Sequence, residues 1–367
     1  MTPELKAFTP PFCPRPECPY HSQPDGWRWI KDGTHDRQAA PHVVPRFLCL
    51  HCKRSFSSQT FQTSYWLKRP DILPQLVLPT VGCSGYRQLA RTLGVAPSTV
   101  ANQVRRLGRH CLLFQLRHGL TGKPQEPLVL DGFRSFEYSQ YWPFDLNVVV
   151  GGNTHYFYGF NCAELRRSGS MTSKQKKRRE VLEERLGRPD PKATRKTVES
   201  LLRRVTGGPC ELRLSTDKHS EYPKALQAMK AWTIEHDRTS SKAARTPSNP
   251  LWPVNLADLL MRHGGSNHKR ETIAFSKRAQ SALARTSIFQ VWRNFMKGVS
   301  EREGKRSPSP AMTLGLRTER LRVDELLDGR IFVSHLQPPK ELRELYFERV
   351  PTRQLPEARH HRLSYAA

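Results

Sequence analysis

Four of the eight cysteines are spaced for metal binding. Cys13 and Cys18 lie in FCPRPECPYH, and Cys49 and Cys52 lie in RFLCLHCKRSFS. A Cys-x2-Cys turn brings two thiolates to one side of a tight knuckle, and two knuckles make a tetrahedral sulfur site that suits Zn²⁺. The first pair has a four-residue gap, at the loose end of the usual range. His21 or His51 is an alternative ligand. A segment this small has little core of its own, so metal binding would be linked to its folding. Trp27, Trp29, Phe47 and Phe56 would cover the knuckles. Cys83, Cys111, Cys162 and Cys210 lack such spacing and are expected in the interior.

The second chemical signal is carboxylate. PLVLDGFRSFEY begins as an apolar strand and stops at Asp131, just before Gly132. Alone, Asp-Gly reads as a turn. Further on, CELRLSTDKHSEYPKAL reads as another strand, ending at Asp217 and followed by a helix. Between them, two strands at 147–150 and 156–161 are joined by a Gly-Gly-Asn turn. Two strands that each end in Asp place both carboxylates on one sheet edge. Such a pair can hold two Mg²⁺ or Mn²⁺ ions about 3.5–4 Å apart, one activating an attacking oxygen and one stabilising the leaving oxygen of a phosphodiester.

What must position these groups, and on what substrate? Lys plus Arg is 60 against 33 for Asp plus Glu, a formal net charge of +27 spread over most of 367 residues. That field favours a polyanion, most simply nucleic acid. No apolar run is long enough for a spanning helix. The start lacks the shape of a secretory signal, and eight cysteines in a chain this long argue against a disulfide scaffold. The expected location is a reducing cytoplasm, where the chain would act on DNA.

Residues 84–107 read SGYRQLARTLGVAPSTVANQVRRL. Leu89, Ala90 and Leu93 share one helical face, Gly94 permits a sharp turn, and Ser98 can cap a second helix with Val100 and Val104 inward. This is a helix-turn-helix, whose second helix enters a DNA major groove. Thr99, Asn102, Gln103, Arg105 and Arg106 are then expected to face outward, toward bases and phosphates.

The order of zinc knuckle, helix-turn-helix, strand–Asp, strand–Asp and a segment ending RETIAFSKR resembles a bacterial insertion-sequence transposase, closest to the "insertion sequence one" class and its unclassified relatives. The resemblance covers roughly residues 10–300. Its most specific parts are RFLCLHCKRSFS and NPLWPVNLADLLMRHGGSNHKRETIAFSKR. It implies an RNase H-like core with a DDE-type triad that uses Mg²⁺ to nick and join DNA, with Asp131 and Asp217 as the first two acids. In that class a Glu is followed after three residues by an Asn, then by an Arg and a Phe-Ser-Lys run. Counting back from Phe275, Ser276 and Lys277, Arg262 falls on the Arg, Asp258 on the Asn and Asn255 on the Glu. Acid and amide are exchanged by one helical turn on one face. Asp258 is therefore the expected third acid, Glu271 the reserve, and Asn255 an amide ligand. His219 is placed to orient water or phosphate, and His236 to touch the scissile phosphate.

The expected fold class is α/β and multidomain. A zinc ribbon spans 1–62 and a helix-turn-helix domain 63–120. An RNase H-like mixed-sheet domain spans 125–300, with a basic insertion at about 166–206 that is either a solvated helix or a DNA-tracking surface. A basic tail of linker-like composition spans 301–367. HDRTSSKAARTPSN reads as a flexible basic loop, and Phe289, Val291, Trp292 and Phe295 as core. The expected partners are the terminal inverted repeats of an element and a target duplex, bound by a homo-oligomer. The rival expectation is a non-catalytic regulator built on the zinc knuckle and helix-turn-helix; a structure-selective nuclease is a third.

Overall fold

A computed structural model describes residues 8–120, 122–269, 272–350 and 352–353. Three antiparallel strands come first: β1 (Trp29–Asp36), β2 (Val43–Cys49) and β3 (Ser55–Ser57), in that order. They bury little: Phe47, Phe56 and Phe61 gather around Cys13, Cys18 and Cys49, with Phe8 and Phe12 packed against them. Phe332, from far along the chain, completes this cluster, its ring edge-on to Phe12 at 5.1 Å.

Helices α1 (Leu73–Val81), α2 (Tyr86–Thr92) and α3 (Pro97–His118) follow. Gly94 adopts φ +62°, a left-handed value that glycine accepts without strain, and turns the chain between α2 and α3. Leu89, Ala90, Val100 and Val104 are buried, as their spacing requires. Ser98 is not the cap: Ala96 occupies that position and Pro97 opens the helix. Proline suits the first turn because its missing N–H would have no partner there.

The second sheet contains β4 (Leu128–Phe136), β5 (Pro143–Gly151), β6 (Phe157–Glu164), β7 (Glu211–Asp217) and β8 (Thr233–Thr239), in the order β6-β5-β4-β7-β8. β4, β5 and β6 form an antiparallel meander, and β7 and β8 run parallel to β4. Every residue of β5 is buried, because helices cover both faces of this strand. Between β6 and β8 come α4 (Ser173–Leu186), α5 (Ala193–Thr206) and α6 (Glu221–Gln227), and after β8 come α7 (Trp252–Gly264) and α8 (Ala279–Val291).

Leu128, Leu130, Val149, Leu212 and Leu214 pack one sheet face against Val198, Leu201 and Leu202 of α5 and Tyr222 and Ala225 of α6. Asn147 donates to Asn161 Oδ1 and Thr197 Oγ1 and pins α5 to this face. Of the stretch read as a basic insertion, α5 is therefore a core layer, and α4 alone stands off, with only Leu182 buried. The opposite face carries Val129, Phe133, Leu146, Val148 and Val150, which join α7, α8 and α3 in one apolar cluster. α3 and α8 touch backbone to backbone: a Cβ on Gly108 would lie 2.5 Å from the Ala284 carbonyl oxygen.

Beyond α8 a π-helical turn, Trp292–Met296, sends Asn294 to the outer edge of β6, the last strand of the sheet. There its side chain takes the backbone N–H and C=O of Phe157 at 2.7 and 2.9 Å, as a neighbouring strand would. The segment after residue 300 is not a linker through its described part. Ala311, Leu321, Leu326, Ile331, Val333, Leu342, Leu345 and Tyr346 are buried in the main cluster. Among the described residues no helix is long and apolar enough to cross a membrane.

Candidate metal centres

The hairpin joining β2 and β3 presents Cys49 and Cys52, and the loop before β1 presents Cys13 and Cys18. All four Sγ atoms lie within 4.8 Å of one another, with Cys13 and Cys52 3.8 Å apart. Three of the four are buried. Burial pushes the Cys13 and Cys18 thiols up. At Cys49 burial also acts upward. It is outweighed by the Trp27 indole N–H, 3.2 Å from the sulfur, and by the backbone N–H groups of Cys52 and His51, which bring this thiol down to about 7. Four close thiols that already attract donors are a set that can hold Zn²⁺.

Neither histidine alternative belongs to this set. His21 Nδ1 donates to the Cys13 carbonyl at 2.7 Å, and its Nε2 faces the Ser334 hydroxyl at 2.6 Å. Burial lowers its pKa, which favours this neutral tautomer. His51 instead meets the ring of Tyr20. His21 thus ties the cysteine loop to the C-terminal segment, and His335 Nε2 donates back to the His21 carbonyl at 2.9 Å.

The acids are arranged differently. Asp131 does not end its strand: β4 continues to Phe136 opposite β5. What stops is the pairing with β7, whose last partners are Leu130 and Thr216. One step further in the same parallel register come Asp131 and Asp217, on strands roughly 4.8 Å apart. Side chains alternate along a strand, so both carboxylates leave the sheet on the face that carries Val129 and Phe133. α7 crosses this face. Its Val254, Ala257 and Met261 pack inward, and Arg262 lies over the Phe133 ring at 4.3 Å. One turn before Arg262, Asp258 Oδ1 is buried with no hydrogen-bond partner among the described residues.

The electrostatics agree with this geometry. Burial pushes the Asp131 carboxyl up to about 6; the Gly132 N–H opposes the shift, and Asp217 and Asp145 add to it. Burial also drives Asp258 well above the usual carboxylate range, and the charge of Asp131 adds to that. The charge of Arg245 acts against both shifts. Tyr222, beneath the strand ends, feels Asp131, Asp217, Asp145 and Asp258 together, after burial the largest causes of its upward shift. Asp145 is held on the sheet's other face by Arg134 at 2.8 Å. Among the described residues only the four cysteines form a group of three or more ligand atoms all within 4.8 Å. The three acids therefore converge on one face without closing to that distance.

Other expected site residues fall elsewhere. His236 pairs in register with Leu214, on the α5 and α6 face, and its Nε2 donates to Thr216 Oγ1 at 2.8 Å. It points away from the acids, because the strand alternation that exposes Asp217 on one face puts His236 on the other. His219 is exposed beside Tyr222 and accepts from the Glu221 N–H. Asn255 is half-buried on α7. Glu271 lies outside the described residues. In α3, Thr99 is half-buried and Asn102 exposed, but Gln103 and Arg106 do not face outward. Gln103 is 3% exposed and donates to the Arg69 carbonyl at 2.7 Å, and Arg106 Nε donates to the Thr63 carbonyl at 2.7 Å. They fall on the inward stripe because α3 is packed along more of its circumference than a two-helix unit needs. Arg105 bonds Asn102 and pairs with Glu348 at 3.4 Å. Sequence reasoning missed Arg245, taken as part of a flexible loop, and Tyr222; proximity in the fold is their only signal.

The folded class is thus a mixed α/β protein: a five-stranded sheet between helical layers and a separate four-cysteine cluster. No protein-family model matches this chain, and no curated protein matches it in sequence. A solved structure that does match is the simian T-cell lymphotropic virus intasome in complex with the PP2A regulatory subunit B56 gamma. The identity is 14%, covering 68% of this chain and 74% of that chain, and the TM-score of 0.27 is too low to carry an argument.

Proposed function

We propose that this chain is a DDE-type DNA transposase: it binds the ends of a mobile element, then cuts and joins DNA strands with divalent metal. The proposed core is RNase H-like, on the strength of a meander followed by two parallel strands in the order β6-β5-β4-β7-β8. The observation that carries the reading is the convergence of Asp131, Asp217 and Asp258 on one sheet face from two strands and a helix. There Asp131 is raised to about 6 and Asp258 keeps a buried, unpartnered oxygen. Carboxyls that raise one another are short of positive charge, and a divalent cation supplies it. When bound, Mg²⁺ or Mn²⁺ would activate an attacking oxygen and stabilise the leaving one.

Asp131 and Asp217 would hold the metal from adjacent strands, and Asp258 would reach it from α7. Arg245 would hold the carboxylates ionised and could meet phosphate. The net charge of +27 would attract the DNA. The zinc ribbon, α2 and α3 would form the end-binding part, and a homo-oligomer would pair two ends. The test is Mg²⁺-dependent cleavage of a duplex carrying the inverted repeats that flank the reading frame, for the wild type and for Asp131→Asn, Asp217→Asn and Asp258→Asn. Loss of cleavage with retained binding in all three is expected. Binding without cleavage by the wild type would instead favour the non-catalytic regulator, a reading suggested by the cysteine cluster and the α2–α3 turn alone.

A further inference from the structure

α4 is held to the protein by charge more than by apolar burial. Leu182 is its one buried residue, and Gln175, Arg179, Glu183 and Leu186 share that inward side, half-buried. Glu183 gathers Arg166, Arg188 and Arg179 at 2.7, 3.1 and 3.6 Å, so this carboxylate is spent on anchoring the helix to the loops at its two ends. The outward side is different. Lys174, Arg178, Val181 and Arg185 recur at i, i+4, i+7 and i+11, one stripe of a 3.6-residue helix, and all four are exposed. The ion pairs recorded for α4 all run through Glu183, and among the described residues none reaches Lys174, Arg178 or Arg185.

This arrangement costs the helix stability. Lys174 and Arg178 are like charges one turn apart. With Lys176, Lys177 and Arg179 they crowd the first two turns, where the helix dipole disfavours cations. An external polyanion would offset both effects. The position suits one. β4 and β6 both run antiparallel to β5, so the loop from β6 into α4 leaves the sheet at the end where β4 enters its hairpin with β5. There the Leu165 N–H donates to the Pro143 carbonyl at 2.8 Å, and Arg167 donates to Gln140 Oε1 at 3.4 Å. Phe136, the last residue of β4, lies past Asp131 by roughly 17 Å along the strand. A duplex laid across the acids would reach this end after about five base pairs.

We infer that the outward stripe of α4 grips the phosphate backbone of the duplex flanking the reacting position, without reading its sequence. Lysine and arginine on phosphates fix position and carry no base information, and the stripe has no Asn, Gln or aromatic side chain to meet a base edge. Glu180 and Glu184 lie along one flank of it. A helix sunk in a groove would set them against the second backbone, so the contact is with one strand. The inference deepens the proposed function and rests on it for the choice of DNA as the polyanion.

The test uses the full, zinc-loaded chain without Mg²⁺. Fluorescent duplexes, one carrying the inverted repeats and one a scrambled sequence, are titrated over a range of salt. The triple variant Lys174→Ala, Arg178→Ala, Arg185→Ala should reduce the salt slope by about 2.7 and weaken binding more than about tenfold at low salt, equally on both duplexes. Lys174→Ala alone should reduce the slope by about 0.9. Alanine is the best helix former, so these changes leave α4 folded. Arg302→Ala, Lys305→Ala, Arg306→Ala removes the same charge from another exposed turn and should move the slope by less than about 0.5. An unchanged slope in the α4 variant, an equal fall in the control, or a loss confined to the duplex with the repeats would each overturn the inference. So would phosphatidylserine vesicles bound more tightly than the duplex and released by the α4 variant. The two proposals fail separately. If Asp131→Asn cleaves like wild type, the catalytic reading fails and the α4 result stands. If the α4 variant is silent while Asp131→Asn is inactive, the α4 contact alone fails.

Discussion

The cysteine cluster and the acid cluster are both built from candidate metal ligands, and they are built in opposite ways. The four thiols come from two hairpin-like loops, lie within 4.8 Å of one another and are sealed by Trp27 and a small aromatic core. The three acids come from β4, β7 and α7, and they share a face without closing on one point. A closed sulfur set with no room for substrate is the architecture of a structural site, whereas a reacting site keeps positions open. The open site leaves like charges near one another and a buried oxygen unpartnered, a destabilising arrangement that the rest of the fold must over-determine.

The sharpest way to break the comparison is to open the closed site. Cys49→Ser should lose the bound zinc, measured by metal content. The first sheet should then unfold, because metal binding and folding of so small a core are one process. Since His21, Ser334 and Phe332 join that sheet to the C-terminal segment, limited proteolysis should also reach residues near 330–335. Survival of those residues would separate the two parts and break the link drawn here.

A milder disruption spares the ligands. Phe332→Ala removes the distant ring that completes the aromatic cluster, and should cost about 3–5 kcal/mol in denaturant unfolding, as for large buried aromatics. Zinc stoichiometry should stay at one; loss of metal as well would make the ribbon dependent on its C-terminal cover.

The open site should respond in the opposite direction. Asp131 is raised in the folded state from the usual carboxylate range to about 6. Folding therefore favours its protonated form. The penalty for ionising it is absent below the unfolded pKa, grows between about 4 and about 6, and is complete above that. Without Mg²⁺, Asp131→Asn should raise the melting temperature by a few degrees at neutral pH and by progressively less as pH falls through that window. Equal melting temperatures at neutral pH would show that the acids are not in conflict.

The smallest effect tests the loop. Because the charge of Arg245 opposes the upward shifts of Asp131 and Asp258, Arg245→Ala should move the pH midpoint of Mn²⁺ binding upward by a few tenths of a unit, read by calorimetry. A downward move would mean that Arg245 does not face the carboxylates.

Much was legible in the chain because it is local. Closely spaced cysteine pairs, Cys49 and Cys52 with two residues between them and Cys13 and Cys18 with four, mark two knuckles, and the four sulfurs do form one closed set. Gly94 and the buried stripe of Leu89, Ala90, Val100 and Val104 read correctly because a helix repeats every 3.6 residues. The segment CELRLSTD reads as a strand ending at Asp217, and β7 ends there. Readings failed where partners come from afar. Gln103 and Arg106 look like an exposed helix face until the Thr63 and Arg69 carbonyls arrive to receive them. His236 sits near the acids in any linear count, and a strand's two-residue period turns it away. The tail's composition suggests a linker, yet Phe332 and Leu345 find apolar neighbours hundreds of residues earlier.

The sequence by itself determined which side chains can bind metal, the sign of the molecule's field and the periodicities of its helices and strands, since these are set by residue type and near neighbours. Tertiary structure alone decided that Asp131 and Asp217 stand side by side, that Asp258 faces them and that Gln103 and Arg106 turn inward to the Arg69 and Thr63 carbonyls. Strand register, helix packing and charge interaction depend on distance in space, which the order of residues along the chain does not contain.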